Sequence, residues 1–201
     1  FSPDSVKFHI DIDQSSINKN VKVDFHTNTD ITQTLKEINS FIESNNIELE
    51  KKDYTNWWGQ INDWRKKECL HYEQGEEIIK PQHAISRLYD LTTQKDTFIT
   101  TEVGQHQMWA AQYYKFSKPN RWITSGGLGT MGFGMPAAVG AQMANPDSLV
   151  IDIAGEASFL MNIQEIATAV QYKLPIKIFI LNNEYMGMVR PVSYTHLTLP
   201  T

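Results

Sequence analysis

Glu156 and Asn183 are the residues whose types and spacing point most directly to chemistry. A carboxylate and an amide oxygen are hard ligands, suited to Mg²⁺. That ion takes few protein ligands and leaves the rest of its octahedron to water and phosphates. Glu156 stands in the run Gly155-Glu156-Ala157-Ser158. Small neighbours would let a diphosphate approach the main chain, and a helix start beside Ser158 would offer it free N–H groups. A plainer alternative is that Glu156 decorates a helix start and Asn183 caps a strand.

For the two to meet, the chain must return across 26 intervening residues. The apolar run 149–154 reads as a strand ending at Gly155, and 176–181 as another ending at Asn182. Between them a helix is expected over 162–172, opened by Asn162 with Glu165 three residues on. Such a crossover is right-handed and makes the two strands parallel. Both strands then end at one edge of the sheet, where open α/β folds bind ligands. The same alternation precedes them. A strand is expected over 97–101, a helix over 105–114, a short strand over 122–124, a glycine-rich turn, and a helix over 135–143 with Pro136 at its start. Pro81 suits the first turn of a further helix with a face of Ala84, Ile85, Leu88 and Tyr89. The fold class is α/β, a mostly parallel sheet flanked by helices. Before it, 6–13 alternates like a strand, 31–42 places Leu35, Ile38 and Ile42 on one helical face, and Trp57, Ile61 and Trp64 recur at helical spacing.

The 201 residues suffice for one large domain or one domain and part of another. A net charge of −5 without a long basic run argues against nucleic acid. Cys69 is the one cysteine, which leaves no intrachain disulfide and fits a reducing compartment. No apolar run approaches the roughly 20 residues of a membrane helix.

Gly155-Glu156-Ala157, 24 residues and then Asn182-Asn183 resemble the signature of thiamine-diphosphate enzymes, in which G-D-G precedes N-N. Three longer stretches resemble acetohydroxyacid synthase large subunits. They are Glu102-Val103-Gly104-Gln105-His106-Gln107-Met108-Trp109, Ser125-Gly126-Gly127-Leu128-Gly129-Thr130-Met131-Gly132, and Leu181-Asn182-Asn183-Glu184-Tyr185-Met186-Gly187-Met188-Val189. The resemblance runs from about Phe1 to Arg190. It implies that Val103, Gly104, Gln105 and His106 hold the diphosphate with Ala157 and Ser158. It also implies that the Gly129 carbonyl accepts from the cofactor's 4′-amino group and that Met131 props the cofactor in a bent shape. Glu156, Asn183 and the Tyr185 carbonyl would bind Mg²⁺, and Met188 would lie near the substrate. Read without the resemblance, His106 is a polar helix-start residue and Met131 and Met188 are core packing. Asp11, Ile12, Asp30 and Ile31 match positions flanking the adenosine end of FAD, although Thr29 replaces the glycine common in the family. Solvated acidic strand ends are the alternative there.

The resemblance also implies an organisation. Residues 1–45 correspond to the end of a middle, FAD-binding α/β domain, 46–77 to a linker, and 78–190 to a diphosphate-binding domain. Residues 191–201 lose the family pattern and are expected to be a non-native tail; the family's selectivity tryptophan would fall at Val192. The implied reaction joins pyruvate, after decarboxylation, to pyruvate or 2-ketobutyrate, in branched-chain amino-acid synthesis. The implied assembly is a homodimer or higher oligomer with an optional regulatory subunit, cytoplasmic in bacteria and in an organelle in eukaryotes. Because the family's catalytic glutamate lies in an N-terminal domain, these residues are expected to be inactive alone. Pyruvate oxidase and glyoxylate carboligase are related alternatives. A degenerate paralogue serving subunit contacts is a non-enzyme alternative. A dinucleotide fingerprint over Gly127–Gly132, with Asp152 as its acid, is a further one.

Overall fold

A computed structural model describes residues 2–49 and 52–190. The expected tail, 191–201, lies outside the described residues. The chain forms two compact units that divide between Lys67 and Glu68.

The first unit pairs β1 (Phe8–Ile10) with β2 (Phe25–Thr27) in parallel, in the register Phe8 to Phe25. Those two rings stack at 4.9 Å. The strand expected over 6–13 is cut short after Ile10 because the aspartates turn the chain. Asp11 Oδ1 accepts the Asp13 N–H, and Asp13 Oδ1 accepts the Ser15 N–H. Sequence patterning did not anticipate β2. Two helices follow, α1 (Ile31–Ser44) and α2 (Thr55–Arg65). Asp30 caps α1 by accepting the N–H groups of Thr32 and Gln33.

The second unit is a four-stranded sheet in the order β4-β3-β5-β6, parallel throughout. In chain order it runs α3 (Pro81–Thr92), β3 (Thr97–Thr101), α4 (Gln105–Tyr113), β4 (Trp122–Thr124), α5 (Gly134–Ala144) and β5 (Leu149–Ala154). It ends with α6 (Glu156–Leu160), α7 (Glu165–Gln171) and β6 (Lys177–Ile180). Alternate side chains divide the two central strands between two faces. Ile99, Ile151 and Ile153 pack with Ile85 of α3 and Ala110 of α4. Phe98 and Val150 face Ala138 and Ala141 of α5, and Ala154 joins Met135 and Ala169 on that side. Helices thus cover both faces, the α/β architecture expected.

The strand order has a consequence for function. From β3 the chain crosses to β4 over one face, then returns past β3 to β5 and on to β6 over the other. Its direction reverses between β3 and β5. Their carboxyl ends frame the crevice where such folds place ligands.

Three details differ from expectation. The helix expected over 162–172 is present as the shorter α7, and an additional short helix, α6, precedes it and opens at Glu156 itself. Asn162 caps neither of them; its amide instead donates to the Gly132 carbonyl at 2.6 Å. Residues 68–77, read from sequence as linker, pack within the second unit. Tyr113 donates to the Leu70 carbonyl at 3.1 Å, and Tyr72 sets its ring against those of His83 and Tyr113.

Candidate functional site

Four loops at the carboxyl edge of the second sheet enclose a cavity of about 330 Å³. The β3–α4 turn gives Val103, Gly104, Gln105 and His106. The β4–α5 loop gives Gly129 and Met131, and the β5–α6 junction gives Gly155 to Ser158. The segment after β6 gives Asn183, Tyr185 and Met188. Every residue that the sequence assigned to the diphosphate, the cofactor bend, the metal or the substrate therefore lines one space.

Glu156 and Asn183 follow adjacent parallel strands, since Ile151 to Ala154 of β5 pair with Lys177 to Ile180 of β6. Asn183 is oriented on both sides. Its Oδ1 accepts the Tyr185 N–H at 3.1 Å, and its Nδ2 faces Gln105 Oε1 at 3.4 Å. One carboxylate, one amide oxygen and one main-chain carbonyl make a hard donor set that fits Mg²⁺. Among the described residues no cluster of three or more His, Cys, Asp or Glu side chains competes for an ion.

His106 forms one wall. A Cβ at Gly104 would lie 2.6 Å from its Cε1, and one at Gly155 would lie 2.7 Å from its Nδ1. Only glycine at both positions lets the ring sit between the β3 and β5 loops. Gly187 is likewise pressed against the Gln105 side chain. Burial pushes the His106 imidazole down to about 4, against the opposing pull of a hydrogen bond to the Glu102 main chain and the Glu156 charge. The ring is neutral at pH 7, and its Nε2 has no partner among the described residues. Main chain stripped of side chains beside this ring leaves room for a phosphate ligand to approach. In α6, Ala157 and Ser158 precede the first intrahelical bond, from the Phe159 N–H to the Gly155 carbonyl.

The sequence reading missed further lining residues: Trp109, Leu181, Met186, Gly187 and Val189. Trp109 lies one helical turn beyond Gln105, so helical periodicity contained that signal. It also missed two buried acids beneath the loops, Glu102 and Asp152, both fully enclosed. Asp152 sits within β5, where its Oδ1 accepts the Thr100 hydroxyl at 3.0 Å. It cannot reach a ribose, which removes the dinucleotide reading.

The residues matched to FAD lie in the first unit. Asp11 and Asp30 both follow the carboxyl ends of paired parallel strands, and Asn28 donates to the Asp11 and Ile12 carbonyls, at 2.9 Å each. Ile12 and Ile31 are exposed.

Comparison with known proteins agrees with this geometry. Residues 102–198 match the family described as thiamine pyrophosphate enzyme, C-terminal TPP binding domain. The chain is 46% identical over 190 residues to the acetolactate synthase isozyme 3 large subunit of Escherichia coli, covering 94% of this chain and 33% of that protein. It is 48% identical over 181 residues to the chloroplastic acetolactate synthase 1 of Nicotiana tabacum, covering 90% of this chain and 27% of that one. The chain spans about a third of the length of the curated relatives it matches. With its metal-type donors and small-residue main chain on one sheet edge, the chain is similar over residues 102–198 to the thiamine pyrophosphate-binding domain of that family and, over most of its length, to acetolactate synthase large subunits.

Proposed function

We propose that this chain supplies the diphosphate-binding side of an acetohydroxyacid synthase active site. The reaction is decarboxylation of pyruvate and its condensation with a second 2-keto acid, pyruvate or 2-ketobutyrate. The observation that carries the reading is the meeting of Glu156 and Asn183, on adjacent strand ends, in one cavity with Gly129, Met131 and Met188.

Bound thiamine diphosphate supplies the electron sink for decarboxylation and two-carbon transfer. The chain's own part is to hold and shape. Glu156, Asn183 and the Tyr185 carbonyl take Mg²⁺. Val103 to His106, with Ala157 and Ser158, take the diphosphate. The Gly129 carbonyl would accept from the cofactor's 4′-amino group, Met131 would support the cofactor's conformation, and Met188 would border the substrate. Glu156, longer than the aspartate usual in the family, is the first residue of the short helix α6.

The rest of the reading concerns assembly. Residues 1–45 are the end of an FAD-binding domain, with Asp11, Ile12, Asp30 and Ile31 at the adenosine end and the flavin structural. Residues 46–77 lead into the diphosphate domain over 78–190. The active site is completed by a second subunit of a homodimer or larger oligomer, and a regulatory subunit is an optional partner. The compartment is the cytoplasm in a bacterium and an organelle in a eukaryote. Among the described residues no helix is long and apolar enough to cross a membrane.

Calorimetry tests the core of this reading. The 201-residue chain should bind thiamine diphosphate only with Mg²⁺ present, and Glu156→Ala should weaken that binding by about tenfold or more. Binding that is indifferent to Mg²⁺ or to Glu156 would remove the metal site. The chain alone should form no acetolactate, because the proton-transferring glutamate of the family is supplied elsewhere, and groups of that kind are worth about 10² to 10⁴ in rate.

A further inference from the structure

We propose that Glu102 is a positioning residue for the cofactor: its buried carboxylate grips the first turn of α5 and thereby fixes the loop that carries Gly129 and Met131. The inference rests on the reading of Gly129 and Met131 as cofactor contacts.

Glu102 immediately follows β3 and is fully buried. Its main chain is locked to the sheet by an N–H bond to the Ile153 carbonyl at 3.1 Å. The side chain points to the α5 face, as the alternation from Phe98 through Thr100 requires. There Oε1 accepts the Met135 N–H at 3.1 Å; burial raises the carboxyl, and the N–H groups of Met135, Gly134, Gly132 and Phe133 pull it back toward its charged form. Those four successive donors lead from the loop into the helix. A carboxylate there accepts what the helix start cannot satisfy internally and complements the helix dipole.

The close approach is built in. A Cβ on Gly134 would strike the Asp152 carboxyl, the Glu102 nitrogen and the Thr101 carbonyl carbon. Glycine at this position lets α5 begin directly over the two acids. Asp152 lies on the same face, one strand over, and its Oδ2 has no partner among the described residues; neither has Glu102 Oε2. Two enclosed carboxyls cannot both ionise cheaply. Burial and the Glu102 charge push Asp152 up to about 7; Glu102, also raised by burial, has the main-chain donors at the start of α5 to favour its charged form.

The loop is held at other points too. Ser125 Oγ accepts the Thr130 N–H at 3.0 Å, and Asn162 donates to the Gly132 carbonyl. Glu102 is the anchor that ties this loop to β3, whose next residues, Val103 to His106, hold the diphosphate. It therefore sets the spacing between the loop under the organic part of the cofactor and the loops around its phosphates.

Two probes separate positioning from general support: thiamine diphosphate and inorganic pyrophosphate, each with Mg²⁺, titrated into the full chain. Glu102→Ala should weaken thiamine diphosphate by about tenfold and leave pyrophosphate within about twofold. Glu102→Gln, which keeps one acceptor oxygen, should recover most of the loss. Amide hydrogen exchange at Gly132 to Met135 should quicken in Glu102→Ala while the β5 amides stay protected. Equal weakening of both probes, no weakening, or a Gln variant as poor as the Ala variant would overturn the proposal. Should the Ala variant not fold, the Gln variant decides. Its Gly132 to Met135 amides should exchange faster than the wild type's, with a small loss for thiamine diphosphate alone; unchanged exchange overturns the proposal. A wild-type chain that binds neither probe would overturn the cofactor reading and this role with it, whereas a failure of Glu102→Ala to discriminate would overturn this role alone.

Discussion

At the scale of single residues, the site is defined as much by absent side chains as by present ones. Gly155→Ala would drive a Cβ into the His106 ring, where neither the strand end nor the buried imidazole has room to give. The expected cost is about 1–3 kcal/mol of stability, read by urea denaturation, with loss of thiamine diphosphate binding. Gly140→Ala is the control: nothing lies within 4 Å of its Cβ position in α5. It should stabilise by about 0.5–1 kcal/mol through the unfolded chain. Two buried groups also pull stability in opposite directions with pH. Asp152 is raised from 3.8 to about 7, so the folded state keeps a proton that the unfolded chain has released. Its contribution is complete below about pH 4 and is lost as pH climbs to 7. His106 is lowered from 6.5 to about 4, so the unfolded chain binds the extra proton and the folded state gains as pH rises over that interval. The wild-type urea midpoint should therefore vary little there, whereas in Asp152→Asn it should rise with pH. A midpoint that falls with pH in the variant would refute the assignment. Neither acid's burial was legible in the sequence, because an isolated Glu or Asp reads as solvated until its neighbours in space are known.

At the scale of elements, the second unit was the more legible. Its strands are runs of three to six residues rich in β-branched and aromatic side chains, and a buried parallel sheet writes itself that way. Thr97–Thr101, Trp122–Thr124 and Leu149–Ala154 fall where the pattern put them. The candidate site was legible for the same reason: once strand ends are known, the residues after them share an edge. Asn162 was misread because its helix-start pattern was real but a tertiary partner, the Gly132 carbonyl, claimed the amide. The three-residue strand β2 was missed since three residues carry no measurable period. Asp30 has a structural job independent of any flavin, as it caps α1. Asp30→Ala should cost about 1 kcal/mol, and Asp30→Ser should keep most of the cap while removing the carboxylate. Helix content followed through a urea transition checks the first effect. Flavin affinity of a full-length relative carrying the Ser change separates the second, and unaltered affinity would relieve Asp30 of a flavin role.

At the scale of the whole molecule, the cavity draws on residues from Val103 to Val189, with every wall on the second unit. A ligand seated there should stabilise that unit by mass action, about 2.7 kcal/mol at a hundredfold excess over its dissociation constant. Differential scanning calorimetry with Mg²⁺ and thiamine diphosphate should show the shift, and no shift under saturating ligand would contradict binding to the folded unit. The strand order adds a matter of timing. Among the described residues β3 comes first in this sheet yet lies in its interior, while β6 follows the others and pairs with β5 alone. Asn183 and Tyr185 hang from that last strand, whereas the loops for the phosphates and the cofactor bend belong to strands already paired. Strands β3, β4 and β5 can thus pair while the metal site is still lacking, and the site is gained only when β6 docks. Long-range parallel pairings form slowly, since loop closure must precede the contacts that reward it. The divalent ion, by bridging β5 to β6, would then act as a latch between these two strands, so that competence to bind the cofactor reports that their pairing has formed.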